Sequence, residues 1–314
     1  MLSSTAKNLY WLARYIERAE NTARILEATN RIALLTRGRP QGGAEWLSVT
    51  GIYGCEMALR ERHANPGLEE LMHFMAFDEH NPSSIYCGVR AARNNARAER
   101  NNLTTDVWEN LNGMWLELQS MARLGGPGGD WHGFLDWVKK QAQLVTGAAQ
   151  STLLRDEAFN FLALGNFIER GDSTARILDV KYHILLPKGE PVGGSIDYYH
   201  WSEILSCVSA FRIYRRVYAS AIEPWRVAEL MILRRDLPRS LHFCQRQVNF
   251  HLEELAEAFA ARHEAHRLSG EIYSQLRYGR IELIFQNGLH EFLTDFIQRN
   301  GRLSDQIERD FLMK

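Results

Sequence analysis

Acidic residues and arginines recur in this chain of 314 residues at a spacing suited to binding a charged group. Residues 16–26 read Ile-Glu-Arg-Ala-Glu-Asn-Thr-Ala-Arg-Ile-Leu, and residues 168–178 read Ile-Glu-Arg-Gly-Asp-Ser-Thr-Ala-Arg-Ile-Leu. Eight of the eleven positions are identical at a separation of 152 residues. The identities include Glu17/Glu169, Arg18/Arg170 and Arg24/Arg176, and Glu20/Asp172 keeps its charge. Repeated apolar residues would signal only a repeated core, whereas repeated polar ones suggest a repeated task. A carboxylate can orient an arginine, hold an amine or act as a general base. A guanidinium can take a carboxylate or phosphate in bidentate fashion.

At about 100° per residue, Glu17, Glu20 and Arg24 fall on one side of a helix, beside its apolar stripe. Glu169, Asp172 and Arg176 do the same, while Arg18 and Arg170 are expected roughly opposite the stripe. Glu20 with Arg24, and Asp172 with Arg176, are also favourably oriented i,i+4 pairs, each worth only about 0.3–0.5 kcal/mol on an exposed helix. Two roles therefore stay open for these clusters: salt bridges joining helices, or a ligand site. A second constellation, Arg90, Arg93, Arg97 and Arg100 with Asn94, forms a stripe in the segment 84–101. Such a stripe needs an anionic partner in the first helix, a bound carboxylate or phosphate, or plain solvation near Glu99 and Asp106.

Other chemistries find less support. A di-iron bundle needs two Glu-x-x-His motifs, and only Glu70 to His73 fits. His263 and His266 lack the spacing of a zinc-protease helix, and the glycines at 125–129 lack the Lys-Ser/Thr that completes a phosphate loop. Cys55, Cys87, Cys207 and Cys244 form no Cys-x-x-Cys pair and read as reduced buried thiols in a cytoplasmic protein. No metal or cofactor is called for. A net charge of −1 argues against a field directed at nucleic acid, and no apolar run reaches membrane-spanning length. Of 37 basic residues only six are lysines.

The elements that must position these residues all have helical period. Leu9, Leu12, Ile16, Ala19, Ala23 and Leu26 make one stripe of a helix running from Ser3 or Ser4 to about Leu35. It stops at a loop, 38–43, containing Pro40. A helix then opens near Trp46, Asn65-Pro66-Gly67 breaks it, and a short helix follows at 68–76. Serines after Asn81-Pro82 cap a helix over 84–101. Others are expected from Thr104 or Thr105 to Arg123 and over 131–147. The plan then repeats: a helix over 156–186 ends at Pro187, the next opens near Trp201, and Leu237-Pro238-Arg239-Ser240 starts a long helix as Asn81-Pro82-Ser83-Ser84 does. The expectation is an all-α protein of two related halves, 1–149 and 150–314, packed as one unit.

The run Leu9 to Arg24, together with Asn81-Pro82-Ser83-Ser84-Ile85, Arg93-Asn94-Asn95-Ala96-Arg97, Trp108-Glu109 and Asn112, resembles the bacterial Alpha-E domain family over essentially the whole chain. Leu164-Gly165 and Ile168-Glu169-Arg170 resemble it again. The resemblance implies a helical fold and association with a circularly permuted ATP-grasp protein, with a transglutaminase-like protease nearby, in amide-bond formation on a peptide or small molecule. Taken with the charged helix edges, the leading expectation is an accessory subunit that binds the ATP-grasp protein and holds a carboxylate-bearing substrate. Arg24, Arg176, Arg93 and Arg97 would take anionic groups; Glu17, Glu20, Glu169 and Asp172 would orient them or bind an amine. An enzyme in its own right and a purely structural scaffold are the alternatives. Ala163 and Asn166 stand where the first copy has Trp11 and Arg14, and Arg239 where it has Ser83. These departures predict a weakened second site.

Overall fold

The computed structural model describes residues 1–36, 47–183 and 194–313. The described residues contain fifteen α-helices and no strand. α1 (Ser3–Thr36) and α8 (Glu157–His183) carry the two motif copies and pack against each other along the middle of the molecule. The expected stripe of α1 is fully buried, but so are Tyr10, Ile25 and Ile32 on its other sides. The helix is surrounded by neighbours, so the face opposite the stripe is a second interface.

Each motif helix has a similar escort. α5 (Ile85–Ala98) and α7 (Trp131–Thr152) flank α1, and α6 (Thr105–Arg123) packs on both. α12 (Leu241–Phe259) and α15 (Leu289–Ile307) flank α8, and α13 (Glu264–Arg277) packs on both. The short helices change sides: α9 (Ser195–Cys207) packs on α1 more than on α8, and α2 (Leu47–Tyr53) packs on α8 more than on α1. The remaining short helices are α3 (Glu56–Arg62), α4 (Leu68–Ala76), α10 (Phe211–Tyr218), α11 (Pro224–Ile232) and α14 (Ile281–Asn287).

Local chemistry fixes the starts of the flanking helices. Ser84 Oγ accepts the Cys87 amide at 3.1 Å and Ser240 Oγ the Phe243 amide at 3.0 Å, capping α5 and α12. Both hydroxyls also donate backwards, Ser84 to the Asp78 carbonyl and Ser240 to the Arg234 carbonyl, which fixes the entering loop. Asp130 caps α7 through the Gly133 amide. α7 runs to Thr152, five residues past the expected end, because no breaker intervenes before the Leu153–Asp156 turn. α5 ends at Ala98, short of the expected 101, in a turn of 3₁₀ helix over Arg100–Asn102. The loop with Pro40, the Trp46 position and Pro187 lie outside the described residues. Where the second copy was expected to open near Trp201, the helix already begins at Ser195.

At the crossing of α1 and α8 a Cβ on Gly165 would lie 2.1 Å from the Tyr10 carbonyl oxygen and 3.3 Å from Ala13 Cβ. Only glycine allows the two backbones so close, and that approach brings the polar rows within hydrogen-bonding reach. No helix among the described residues is long and apolar enough to cross a membrane.

Candidate functional site: a crossed clasp and two recesses

The two Glu-Arg dipeptides bind each other crosswise. Arg18 of α1 grips Glu169 of α8 with Nε to Oε1 at 2.6 Å and Nη2 to Oε2 at 2.9 Å. Arg170 of α8 grips Glu17 of α1 with Nε to Oε1 at 3.1 Å and Nη2 to Oε2 at 2.7 Å. Both are two-pronged guanidinium–carboxylate pairs, the geometry that gives arginine its advantage over lysine. Arg18 and Arg170 are thus placed in the helix interface, not away from it as the wheel alone predicts. The long arginine stem carries the charge round the helix to the neighbouring carboxylate.

Each buried carboxylate receives a second guanidinium from a different source. For Glu169 it is Arg14, one turn before Glu17 on α1, with Nε to Oε2 at 2.9 Å. For Glu17 it is Arg239, in the loop before α12, with Nη1 to Oε1 at 3.1 Å. In the positions that correspond by sequence, Asn166 stands for Arg14 and donates to Glu17 Oε2 at 3.0 Å, and Ser83 stands for Arg239. The departures that predicted a weakened second copy therefore exchange one cation for another. Neither Arg14 nor Arg239 was picked out as a site residue. The signal available was the paired loss and gain of an arginine between copies.

Charge pairing compensates burial here. Burial pushes the Glu17 carboxyl up, but the Arg170 and Arg239 guanidiniums more than offset it and hold the group at about 2. Burial acts likewise on Glu169, and Arg18 and Arg14 bring it below the usual carboxylate range. Both carboxylates are closed to water, at 1% and 3% exposure.

One turn further along, each motif helix has an i,i+4 pair. Arg24 donates to Glu20 Oε1 from Nε at 3.0 Å and Nη2 at 2.7 Å, and Arg176 donates to Asp172 Oδ2 from Nε at 2.6 Å. The remaining arginine nitrogen caps a helix end. Arg24 Nη1 reaches the Cys207 carbonyl at the end of α9, and Arg176 Nη1 reaches the Ile52 carbonyl in the last turn of α2. Cations at carbonyl-rich helix ends are favourable.

Beside these pairs lie two recesses. One, of about 390 Å³, is bounded by Glu20, Arg24, Gln143, Arg170, Ser209 and Arg239. The other, of about 360 Å³, is bounded by Arg18, Tyr53, Ser83, Asp172, Ser173 and Arg176, with Glu169 behind. The sets correspond by sequence at Arg170/Arg18, Glu20/Asp172, Arg24/Arg176 and Arg239/Ser83. Arg18 and Arg170 each commit Nε and Nη2 to the opposite carboxylate, and Nη1 of each has no partner among the described residues.

A family model described as a predicted alpha-helical domain with a conserved ER motif matches residues 1–312. The chain belongs to the Alpha-E family. No curated protein and no solved structure matches it. In this Alpha-E chain Glu17-Arg18 and Glu169-Arg170 are the Glu-Arg dipeptides of the repeated stretch, and each supplies an acid to the other and takes one back.

The arginine stripe of α5 is separate from this network. Arg93 donates to Asn112 Oδ1 at 3.3 Å and lies over the Trp108 ring, and Asn94 and Arg97 are exposed. Arg90 pairs with Glu79 at 3.5 Å, and Arg100 also stacks on Trp108. The stripe's apolar neighbours, Val89, Ala92 and Ala96, face α1, so its guanidiniums point away from the acids of α1. Arg93, Asn94 and Arg97 thus do not join the site with Arg24 and Arg176. The isolated histidine motifs have structural work: Glu70 caps α4 through the Gly67 amide, and His266 binds the His263 amide and the Leu252 carbonyl. No three His, Cys, Asp or Glu side chains among the described residues form a group that could hold a metal.

Proposed function

We propose that this Alpha-E chain serves as a partner subunit of an ATP-grasp protein in amide-bond formation, and holds a carboxylate-bearing peptide or small molecule at its recesses. The observation that carries the reading is the division of labour among the arginines. The inner carboxylates are fully occupied by the clasp, while Arg18 and Arg170 each line a recess and keep one nitrogen unspent. Such a nitrogen, beside a second arginine, is a donor for a ligand carboxylate. The ATP-grasp partner, with a transglutaminase-like protease in the same system, is carried into this reading from the resemblance of the sequence motifs. The repeated motif and the matching escorts of α1 and α8 support descent of the halves 1–149 and 150–314 from one helical unit.

The test is reconstitution with the ATP-grasp protein of the same organism, ATP and a peptide pool. The expected result is co-elution of the two proteins and an amide product that requires both. A ligase that elutes alone and forms the product equally fast without this chain would overturn the reading. One observation favours the alternative of an enzyme in its own right: burial pushes the Asp172 carboxyl up in an open recess. Product formation by this chain without the ligase would establish it.

A further inference from the structure

The two recesses are similar in volume, but the outer acid of the motif is sealed in one and exposed in the other, and the side chain that seals it shows what the exposed acid can hold. Arg239 enters the first recess from the loop before α12. Its Nη2 donates to Glu20 Oε1 at 2.7 Å, and its Nη1 to Asn21 Oδ1 at 2.7 Å and to Glu17 Oε1 at 3.1 Å. Glu20 therefore carries two guanidiniums, its own Arg24 and the incoming Arg239, and its side chain is 4% exposed. In the second recess the corresponding acceptors are Asp172, Ser173 and Glu169, all on its lining. The residue in the place of Arg239 is Ser83, whose side chain ends far short of them. Asp172 has Arg176 as its single cation and keeps 21% of its side chain exposed. Asp172 is also one methylene shorter than Glu20, which widens the gap in front of it.

We propose that the recess bounded by Ser83, Asp172, Ser173 and Arg176 binds the guanidinium group of a ligand, in the position that Arg239 fills from within the chain in the other recess. Arg14 and Arg18 are both committed to Glu169, so the acceptor left for the incoming cation is Asp172, with the Ser173 hydroxyl beside it. Tyr53 lines the same recess and offers an aromatic face on which a planar guanidinium can stack. A ligand with a carboxylate as well would reach the unspent Nη1 of Arg18. The inference thus deepens the proposed substrate-holding role, and rests on it only for that second group. A free arginine derivative and an arginyl side chain of a peptide present the same cation.

Calorimetric titration with agmatine, which has a guanidinium and no carboxylate, tests the cation site on the full chain. One site per chain is expected. Asp172→Asn is expected to weaken binding at least tenfold, and Ser83→Arg, which rebuilds the internal arginine, to abolish it. Arg239→Ser is expected to uncover Glu20 in the first recess and raise the stoichiometry to two. Circular dichroism checks that each variant is folded, and Asp172→Asn alone decides if Ser83→Arg is not. Absence of agmatine binding to the wild type, or binding unchanged in Asp172→Asn, overturns the proposal. N-acetylglycinate forms a separate arm: its failure to bind counts against the carboxylate role and leaves the agmatine result standing. An arginine-containing tripeptide amide that binds as agmatine does identifies the peptide side chain as a source; binding of agmatine alone identifies the free small molecule.

Discussion

The Glu20 end of the clasp is sealed and the Asp172 end is open, although both belong to occurrences of the same short motif. At the sealed end a loop arginine, Arg239, completes the charge balance from 219 residues away. At the open end the corresponding loop supplies Ser83, and the second cation comes from Arg14 to the inner carboxylate instead. The comparison teaches that a repeated motif fixes which groups meet, while a single side chain from the surrounding loops decides whether they are closed to solvent or left available.

The largest effect expected on this comparison comes from its shared centre. Glu17→Gln leaves Arg170 buried without a carboxylate and Arg239 with Glu20 alone, and loss of one partner of a buried pair costs about 3–5 kcal/mol. Glu169→Gln should cost less, because Arg18 is 28% exposed and water can replace part of its pairing. Urea unfolding of both variants checks the order, and equal losses would break the distinction between the ends. Gly165→Ala would press a Cβ on the Tyr10 carbonyl and force the helices apart, with an expected loss of about 1–3 kcal/mol. A variant as stable as the wild type would show that the crossing tolerates separation.

Arg24→Gln should cost more than Arg176→Gln. Arg24 is 8% exposed and caps α9, whereas Arg176 is 37% exposed and its pair is worth about 1 kcal/mol at most. Acidity gives an independent check with opposite signs at the centre of the clasp and at its open end. Glu17 is held at about 2, below its ordinary value of 4.5, so its contribution is complete above about pH 4.5 and is lost as the pH falls toward 2. Asp172 is raised, chiefly by burial, so its ionised form costs stability that is recovered on protonation. Unfolding measured from pH 7 to 3 should therefore show a steeper acid loss in the wild type than in Glu17→Gln. Asp172→Asn should be no less stable than the wild type at pH 7, and a large loss there would show that Asp172 contributes as Glu17 does. The smallest effect expected is from Arg97→Gln on the exposed face of α5, within about 0.5 kcal/mol.

Much of the helical plan was legible because periodicity and capping are local. The start of α12 at Ser240 follows from Pro238 and a serine with a helical run behind it, as does the start of α5 at Ser84. The i,i+4 pairs at Glu20 and Asp172 were legible for the same reason, since a helix brings residues four apart together in any context. The position of Arg18 was not. A wheel assigns directions within one helix and assumes one dry side, but α1 is enclosed by α5, α7, α8 and α9. Arg93 and Arg97 show the converse: their spacing is regular, but Arg93 packs on Trp108 and Asn112 and Arg97 is exposed, so neither joins the acids of α1.

What the sequence alone determined is an all-helical chain in which one acid-and-arginine motif occurs twice, with Asn166 where the first stretch has Arg14 and Arg239 where the first half has Ser83. What the tertiary structure decided is the crossing of Glu17 with Arg170 and Glu169 with Arg18, and the difference between a sealed Glu20 and an exposed Asp172. The physical reason is range. Helix formation and capping act over a few residues, whereas a buried carboxylate's stability depends on every guanidinium that packing brings to it, and those come from segments up to 222 residues apart.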